Sequence, residues 1–198
     1  MRRGPWLWIA ALAVYGFLYL PLVIVVVYSF NDSRLNAEWV GFTWHWYQVL
    51  LHDEDMLIAA GNSLLIALVP SLIATLLGTM AGIAIQHYDF RLLNFMALAP
   101  VAMPEILLGV SLLLFFIQVL NLTLGMLSIM LAHITFSIGF VAIVVRVALV
   151  GLDASIFEAA RDLGASPWQT FCHVTFPLIL PGVIAGGLMA FMLSSTIS

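Results

Sequence analysis

The sequence predicts an all-α integral membrane protein that crosses the bilayer five times. Of its 198 residues, 64% are hydrophobic, 8% are charged and none is lysine. A soluble domain of this length could not bury so much apolar surface, so lipid is the expected solvent for most of the chain. Five apolar runs are long enough to cross about 30 Å of hydrocarbon. They cover residues 6–28, 57–85, 92–120, 124–145 and 178–197.

Three of these runs carry further signals. The first is too long for the apolar core of a signal peptide and lacks a small-residue cleavage site, so we expect a retained anchor. The second and third runs are longer than a span requires and are expected to tilt, protrude or break. Pro100 and Pro104 loosen the third run near its middle.

Arginine placement predicts the orientation. The segment 29–56 is acidic and contains a single arginine, Arg34, so it is expected outside the cell. The N-terminus and the loop 151–177 are expected to be cytoplasmic, in a protein that crosses the membrane several times. The arginines that support this orientation are Arg2, Arg3, Arg91, Arg146 and Arg161, and of these Arg146 is expected to be an anchor at a helix end.

The cytoplasmic loop contains its own helix start and stop signals. Asp153 is a suitable N-cap for a helix that begins at Ala154, and Gly164 stands where a left-handed glycine would end that helix. Ser166 and Gln169 form a capping box for a second helix. Pro177 is expected to break that second helix where the last span begins. The loop is therefore predicted to fold as helix, sharp turn and helix.

The first loop helix is amphipathic. Ile156, Phe157, Ala160 and Leu163 recur at helical spacing. The stripe could rest on lipid headgroups, but residues 151–177 carry a net charge of −2, from three acidic residues and one arginine. Because anionic lipid favours basic helices, a groove on a partner protein is the preferred interpretation.

The loop resembles the signature of ABC importer permeases. The signature reads Glu-Ala-Ala, three residues, Gly, nine residues, then Ile-x-Leu-Pro, and this chain has residues 158–160, Gly164 and the conservative variant Val174-x-Phe176-Pro177. The resemblance implies a type I, MetI-like transmembrane domain in which loop 151–177 is a coupling helix that enters a cleft of an ATPase subunit. The residues implied in docking are Glu158, Ala159, Ala160, Asp162 and Gly164.

Other segments resemble the PotC type of permease from spermidine/putrescine importers. They are residues 28–33, 39–43 and 46–47 around the external loop, and residues 132–136 in the fourth run. This resemblance implies ATP-driven polyamine import by alternating access, in a multi-pass protein of the bacterial inner membrane. The implied partners are ATPase subunits, a second permease in a heterodimer and an external or periplasmic substrate-binding protein. It implies no cofactor, metal or nucleic acid.

Two intramembrane residues are candidates for the substrate pathway. Glu105 follows Pro104 about halfway along the third run, where a carboxyl group is costly unless it faces a cavity or a partner charge. His133 in the fourth run could pair with Glu105. A structural role for Glu105, either in that pair or in capping a kink, remains an equal alternative, and His133 by itself is expected to be a hydrogen-bonded packing residue.

Two further patterns allow alternatives. Trp39, Trp44, Trp46 and Tyr47 in the external loop predict an interfacial aromatic belt, with docking of a delivery protein as the other interpretation. Gly78 and Gly82 are four residues apart and predict close helix packing. The packing partner is another subunit or, as the default, a helix of this chain.

The sequence supports other functions less well. The sequence lacks the Walker A pattern, so ATP must be hydrolysed by separate subunits, and it lacks HExxH, which argues against an intramembrane metalloenzyme. One cysteine, Cys172, permits no intramolecular disulfide. A permease for another cation, an amino acid or an anion remains the alternative within transport, and a non-transporting scaffold is the alternative outside it.

The end of the chain suggests an incomplete permease domain. PotC-type permeases continue through a sixth span, and their fifth span bears an acidic pair after a Leu-Ser dipeptide. Here Leu193-Ser194 is followed by Ser195-Thr196-Ile197-Ser198. We therefore expect residues 1–198 to form one C-terminally truncated domain, and a transport-incompetent protein is a further alternative.

Overall fold

The computed structural model describes residues 5–33, 38–88 and 91–197. Arg2, Arg3, Arg34 and Ser198 therefore lie outside the described residues. The chain divides into two compact units, Met1–Ala59 and Ala60–Ser198. The side chains of seven further residues also lie outside the described part of the structure: Pro5, Arg91, Leu93, Met96, Leu98, Glu105 and Ile197.

The first unit contains helices α1 (Pro5–Tyr28) and α2 (His45–His52) and the first residues of α3. Between α1 and α2 the chain folds back on itself through an isolated antiparallel bridge between Asn31 and Phe42. The buried Asn31 side chain closes this segment: its Nδ2 donates to the Glu38 carbonyl at 2.7 Å, and its Oδ1 accepts from the Val40 N–H at 2.8 Å. The segment between these helices is therefore a folded element.

Aromatic rings pack together in the same segment. The Phe30 ring lies 5.2 Å from Phe42, 4.9 Å from Trp44 and 5.2 Å from Tyr47, measured between centroids. Such ring pairs add about 0.5–1.5 kcal/mol beyond the burial of their area. Some of the aromatic residues expected to form an interfacial belt thus also hold the segment together.

The third apolar run is broken. Helix α3 spans Glu54–His87, and the next run forms two helices, α4 (Arg91–Ala102) and α5 (Glu105–Gln118). The break falls where Pro104 adopts an extended conformation, because a proline supplies no N–H and disfavours helix at the residue before it. Among the described residues, four helices are long and apolar enough to cross a membrane, and Ile106–Gln118 is a shorter apolar helix. The third run, which was expected to tilt, protrude or break, is thus the one of the five that does not form a single spanning helix.

The last part of the chain contains α6 (Met126–Val150), α7 (Ala154–Asp162), α8 (Pro167–Thr170), a π-helical turn (Phe171–Thr175) and α9 (Phe176–Ile197). The expected break at Pro177 is wrong, since α8 continues through the π turn into α9 as one apolar helix, Pro167–Thr196. In the turn the Phe176 N–H donates to the Phe171 carbonyl, five residues back. This wider turn, and the position of Pro177 at the start of α9, allow the helix to pass a residue that has no N–H.

Helix α6 is the central element of the second unit. It packs against α9, α4 and α5. The buried core joins Val141, Val145 and Leu149 of α6 to Ile179 and Ala190 of α9. Helix α6 therefore contacts each of these three helices and shares the buried core with α9.

Glycines bring the neighbouring backbones close to α6. A Cβ added at Gly78 would lie 2.6 Å from the Val141 Cβ, and one added at Gly82 would lie 2.7 Å from the Ala142 carbonyl oxygen. Gly182 of α9 approaches the other flank of α6 in a similar way, 2.6 Å from the Ala148 Cβ. The small-residue pattern of α3 thus serves packing within the chain, which was the default interpretation.

Arg146 lies within α6, one turn before its end. Its guanidinium donates to Asn94 Oδ1 of α4 at 3.0 Å. The residue expected to anchor a helix end therefore also links α6 to α4.

Replacing Gly82 by alanine should destabilise the bundle, because the new methyl group would meet a backbone oxygen that cannot move alone. We expect a cost of about 1–3 kcal/mol, typical of overpacking, seen as a lower thermal unfolding midpoint of the purified protein in detergent. Gly61→Ala is the matched control: it gains the same helix propensity, and its Cβ meets nothing within 4 Å. Equal midpoints for the two variants would contradict the close approach.

Candidate functional site

The loop after α6 begins with the predicted cap. The Asp153 carboxylate accepts the Ser155 N–H at 2.9 Å, and α7 starts at Ala154 as expected. This backbone N–H, followed by the Ser155 side chain, holds the pKa of Asp153 below its ordinary value, because both stabilise the charged carboxylate. The cap therefore keeps its negative charge at the positive end of α7 at neutral pH.

The predicted left-handed glycine ends α7. Gly164 has φ +82°, and its N–H donates to the Arg161 carbonyl at 2.8 Å. The Ala165 N–H donates to the Ala160 carbonyl at 3.1 Å. These two bonds form a Schellman motif, which places the residue after α7 in a defined turn.

The second helix start is also as predicted. The Gln169 N–H donates to Ser166 Oγ at 3.3 Å, and the Ser166 N–H donates to Gln169 Oε1 at 2.8 Å, with Pro167 at the first helical position. Both sides of the turn are thus fixed by local hydrogen bonds, and residues 153–169 form the helix, sharp turn and helix start that their sequence indicated.

The residues implied in docking lie together on α7 and its terminal turn. Most are exposed, and Ala160 is half-buried; the exposed ones are Glu158, Ala159, Asp162 and Gly164. The loop therefore presents a surface of acidic and small residues, and backbone hydrogen bonds fix the turn beside it.

The predicted apolar stripe does not form one surface. Phe157 and Ala160 are half-buried, whereas Leu163 is 88% exposed. Phe157 lines a cavity of about 430 Å³ together with His87 at the end of α3 and Thr175 of the π turn. Helical spacing alone could not show that part of the stripe packs on the protein itself.

One exposed side chain beside the turn was not among the predicted residues. Trp168 on α8 is 72% exposed, and its ring stacks on Phe171 at a centroid distance of 5.7 Å. A large aromatic residue one position after the proline of a capped helix was the available signal. Leu163 and Trp168 give the turn an apolar tip.

The two candidates for the substrate pathway lie near the middle of the bundle. Glu105 is the first residue of α5, directly after the break, and its side chain lies outside the described part of the structure. His133 is 8% exposed and lines a cavity of about 280 Å³ between α5, α6 and α9. Ile106, the residue after Glu105, lines the same cavity. Whether Glu105 pairs with His133 stays a prediction.

Sequence reasoning missed two hydroxyl groups in this cavity. Ser137 lies one turn after His133 on α6, and Ser194 lies on α9. The signal for Ser137 was its i, i+4 spacing from the histidine. The described residues include no cluster of three or more histidine, cysteine, aspartate or glutamate side chains that could hold a metal ion.

Comparisons with known proteins agree with the loop signature. The family described as "Binding-protein-dependent transport system inner membrane component" matches residues 91–196. The chain is 43% identical to the putrescine transport system permease protein PotI of Escherichia coli K12, covering 97% of this chain and 72% of that protein. It is 38% identical to the spermidine/putrescine transport system permease protein PotC of the same strain, over 92% and 70%. A PotC homologue of Mycoplasma pneumoniae is 30% identical, over 89% and 67%.

These matches cover the loop, the cavity and nearly all of the remaining chain. They confirm the predicted fold class, and they confirm that the chain is a permease subunit of a membrane transport system rather than an enzyme. Partnership with an ATPase and with a substrate-binding protein, in general terms, follows from the same matches, as does a multi-pass location in the inner membrane. With its capped loop and its helices packed around α6, this chain belongs to the family of inner-membrane components of binding-protein-dependent transport systems.

Proposed function

We propose that this chain is a permease subunit of an ATP-driven importer of polyamines such as putrescine and spermidine. The observation that carries the proposal is the identity of 43% and 38% to two permeases named for these substrates, over more than nine-tenths of this chain. The cavity has mostly apolar walls and is also lined by hydroxyl and imidazole groups. This lining is compatible with the passage of an aliphatic amine.

In this proposal α7 and its Gly164 turn dock in a cleft of the ATPase subunit. The rigid Schellman turn supports the assignment, because a docking element must transmit force without bending. Exposed Glu158 and Asp162 supply charge to the contact, and the small Ala159 allows close approach. Leu163 and Trp168 would fill apolar pockets of the cleft.

Force would reach the bundle by two routes. Leu152, between α6 and α7, packs against the core that joins α6 to α9. On the other side of the turn, α8 continues through the π turn into α9 without a break. A displacement of α7 would therefore move α6 and α9 together. We infer that closure of the ATPase subunits switches the pathway between inward-open and outward-open forms by this movement.

The finer assignments follow from the same proposal. The N-terminus is cytoplasmic, since arginines flank the expected cytoplasmic segments. A second permease completes a heterodimer, and a substrate-binding protein delivers the amine at the folded segment between α1 and α2. Glu105 and His133 belong to the substrate pathway. A permease for another cation, an amino acid or an anion is the competing proposal.

Substrate competition separates these proposals. In cells that contain the complete transport complex, unlabelled putrescine and spermidine should each reduce the uptake of labelled putrescine, because they share one pathway. Equal concentrations of arginine, glutamate and phosphate serve as controls and should leave uptake unchanged. Absence of competition by either amine would refute the polyamine proposal.

Gly164→Ala should reduce uptake without loss of the protein from the membrane. A side chain at φ +82° costs roughly 1–2 kcal/mol, which lowers the population of the correct turn by a factor of about 5–30. ATP-dependent uptake and the amount of inserted permease would be measured in parallel.

Gly151→Ala is the matched control in the same loop. Gly151 has φ −74°, and an added Cβ would lie at an ordinary 3.6 Å from the nearest atom. This variant should transport normally. Unchanged uptake in Gly164→Ala would show that the turn is not the docking element.

A further inference from the structure

The cavity between α5, α6 and α9 has an unusual polar lining. Its walls are mostly apolar, with Leu112 of α5, Phe136 of α6 and Leu193 of α9 among them. Three polar side chains interrupt them: His133, Ser137 and Ser194. The volume of about 280 Å³ lies just below the range of about 300–1,000 Å³ for pockets that hold drug-sized ligands. The space therefore suits a small molecule.

Both serines are buried without a partner. Ser137 and Ser194 are each 1% exposed, and neither Oγ has a hydrogen-bond partner among the described residues. Serines in apolar helices ordinarily donate to a carbonyl of the preceding turn. Ser71 of α3 does so to the Leu68 carbonyl at 2.9 Å, and Ser111 of α5 to the Leu107 carbonyl at 2.7 Å. An unpaired buried hydroxyl is costly. Thr79 and Thr170 also carry unpaired buried hydroxyls, but of these four residues the two serines line this cavity, where a ligand could satisfy them.

The lining fits a primary ammonium group. Such a group offers three N–H donors and no acceptor, as in lysine. The two serine oxygens offer two acceptors to one cavity, with the His133 ring beside them, and the apolar walls would contact a methylene chain. No arginine or lysine is present among the described lining residues to repel a cation.

The depth of the cavity is consistent with a stage of passage. Ser137 lies 13 residues before Val150, which corresponds to about 20 Å along a helix that rises 1.5 Å per residue. In the described lining the hydrogen-bonding groups are the two serine hydroxyls and His133, and a cation held by uncharged oxygens is released readily. We propose that this cavity is a transient site for one ammonium end of an aliphatic di- or polyamine, with Ser137 and Ser194 as its acceptors. The proposal rests on the polyamine function proposed above.

The serine pair provides the first test. The complete transport complex would be reconstituted in proteoliposomes, with putrescine uptake and ATP hydrolysis measured together. Ser137→Ala combined with Ser194→Ala should lower the amount of putrescine moved per ATP about tenfold, as expected when hydrogen bonds to a charged group are lost. ATP hydrolysis should stay within about twofold of the unmodified complex.

Ser71→Ala is the control, because Ser71 is a buried serine that does not line this cavity. Its amount of putrescine moved per ATP should not change. An unchanged amount per ATP in the double variant would mean that water alone fills the cavity, and would overturn the proposal. Equal losses of hydrolysis and of uptake would assign the serines a structural role and overturn it as well.

A plugging variant gives an independent readout. Gly109 lines the cavity, and a Cβ there meets nothing within 4 Å. Gly109→Leu should fill the space without a backbone clash and lower the amount of putrescine moved per ATP at least about tenfold. Gly61→Leu, equally open but outside the cavity, should have no such effect.

Different outcomes would refute the polyamine function and the ammonium site. Unmodified complex that moves neither putrescine nor spermidine would refute the polyamine function itself. Unmodified complex that moves them, with both cavity variants behaving like their controls, would refute the ammonium site alone.

Discussion

The close approach of three helices to α6 is the constraint on which the second unit depends. Lipid tails are as apolar as leucine, so helices in a bilayer gain little from burying apolar side chains against one another and must instead pack at short range. Gly78 and Gly82 of α3 and Gly182 of α9 permit this contact, and Gly139 of α6 brings the Ala97 carbonyl of α4 within 2.6 Å of where its own Cβ would lie. The position of α6 is set by backbone sterics, and side chains fill the space that remains.

Because α6 is fixed in this way, it joins the two parts of the molecule that bear on function. Its middle carries His133 and Ser137 on the cavity, and its end carries Leu149, which packs in the same core as Ile179 of α9. The capped loop follows directly. A change at the loop and a change at the cavity therefore act on one packed pair of helices, α6 and α9, without a separate connecting element.

Features that depend on a few neighbouring residues were predictable from the sequence. The Asp153 cap, the Gly164 turn and the Ser166 capping box each need only hydrogen bonds within one or two turns, and the break before Glu105 needs only Pro104. The passage of the helix through Pro177 was not predictable, because a π turn leaves no mark on an apolar run of period 3.6. The cavity joins side chains of three helices distant in the chain, and the inward packing of Phe157 depends equally on tertiary contacts.

The locally determined loop and the cavity formed by tertiary contacts also suit different functions. A docking loop must fit an ATPase, and this task is common to importers with different substrates, so a local and rigidly capped element can serve many of them. Selectivity among small amines cannot come from such a loop. It requires groups that meet the substrate inside the bundle, where water does not compete and an unpaired hydroxyl is costly. Neutral acceptors such as Ser137 and Ser194 can favour an ammonium group over an anion and still release it.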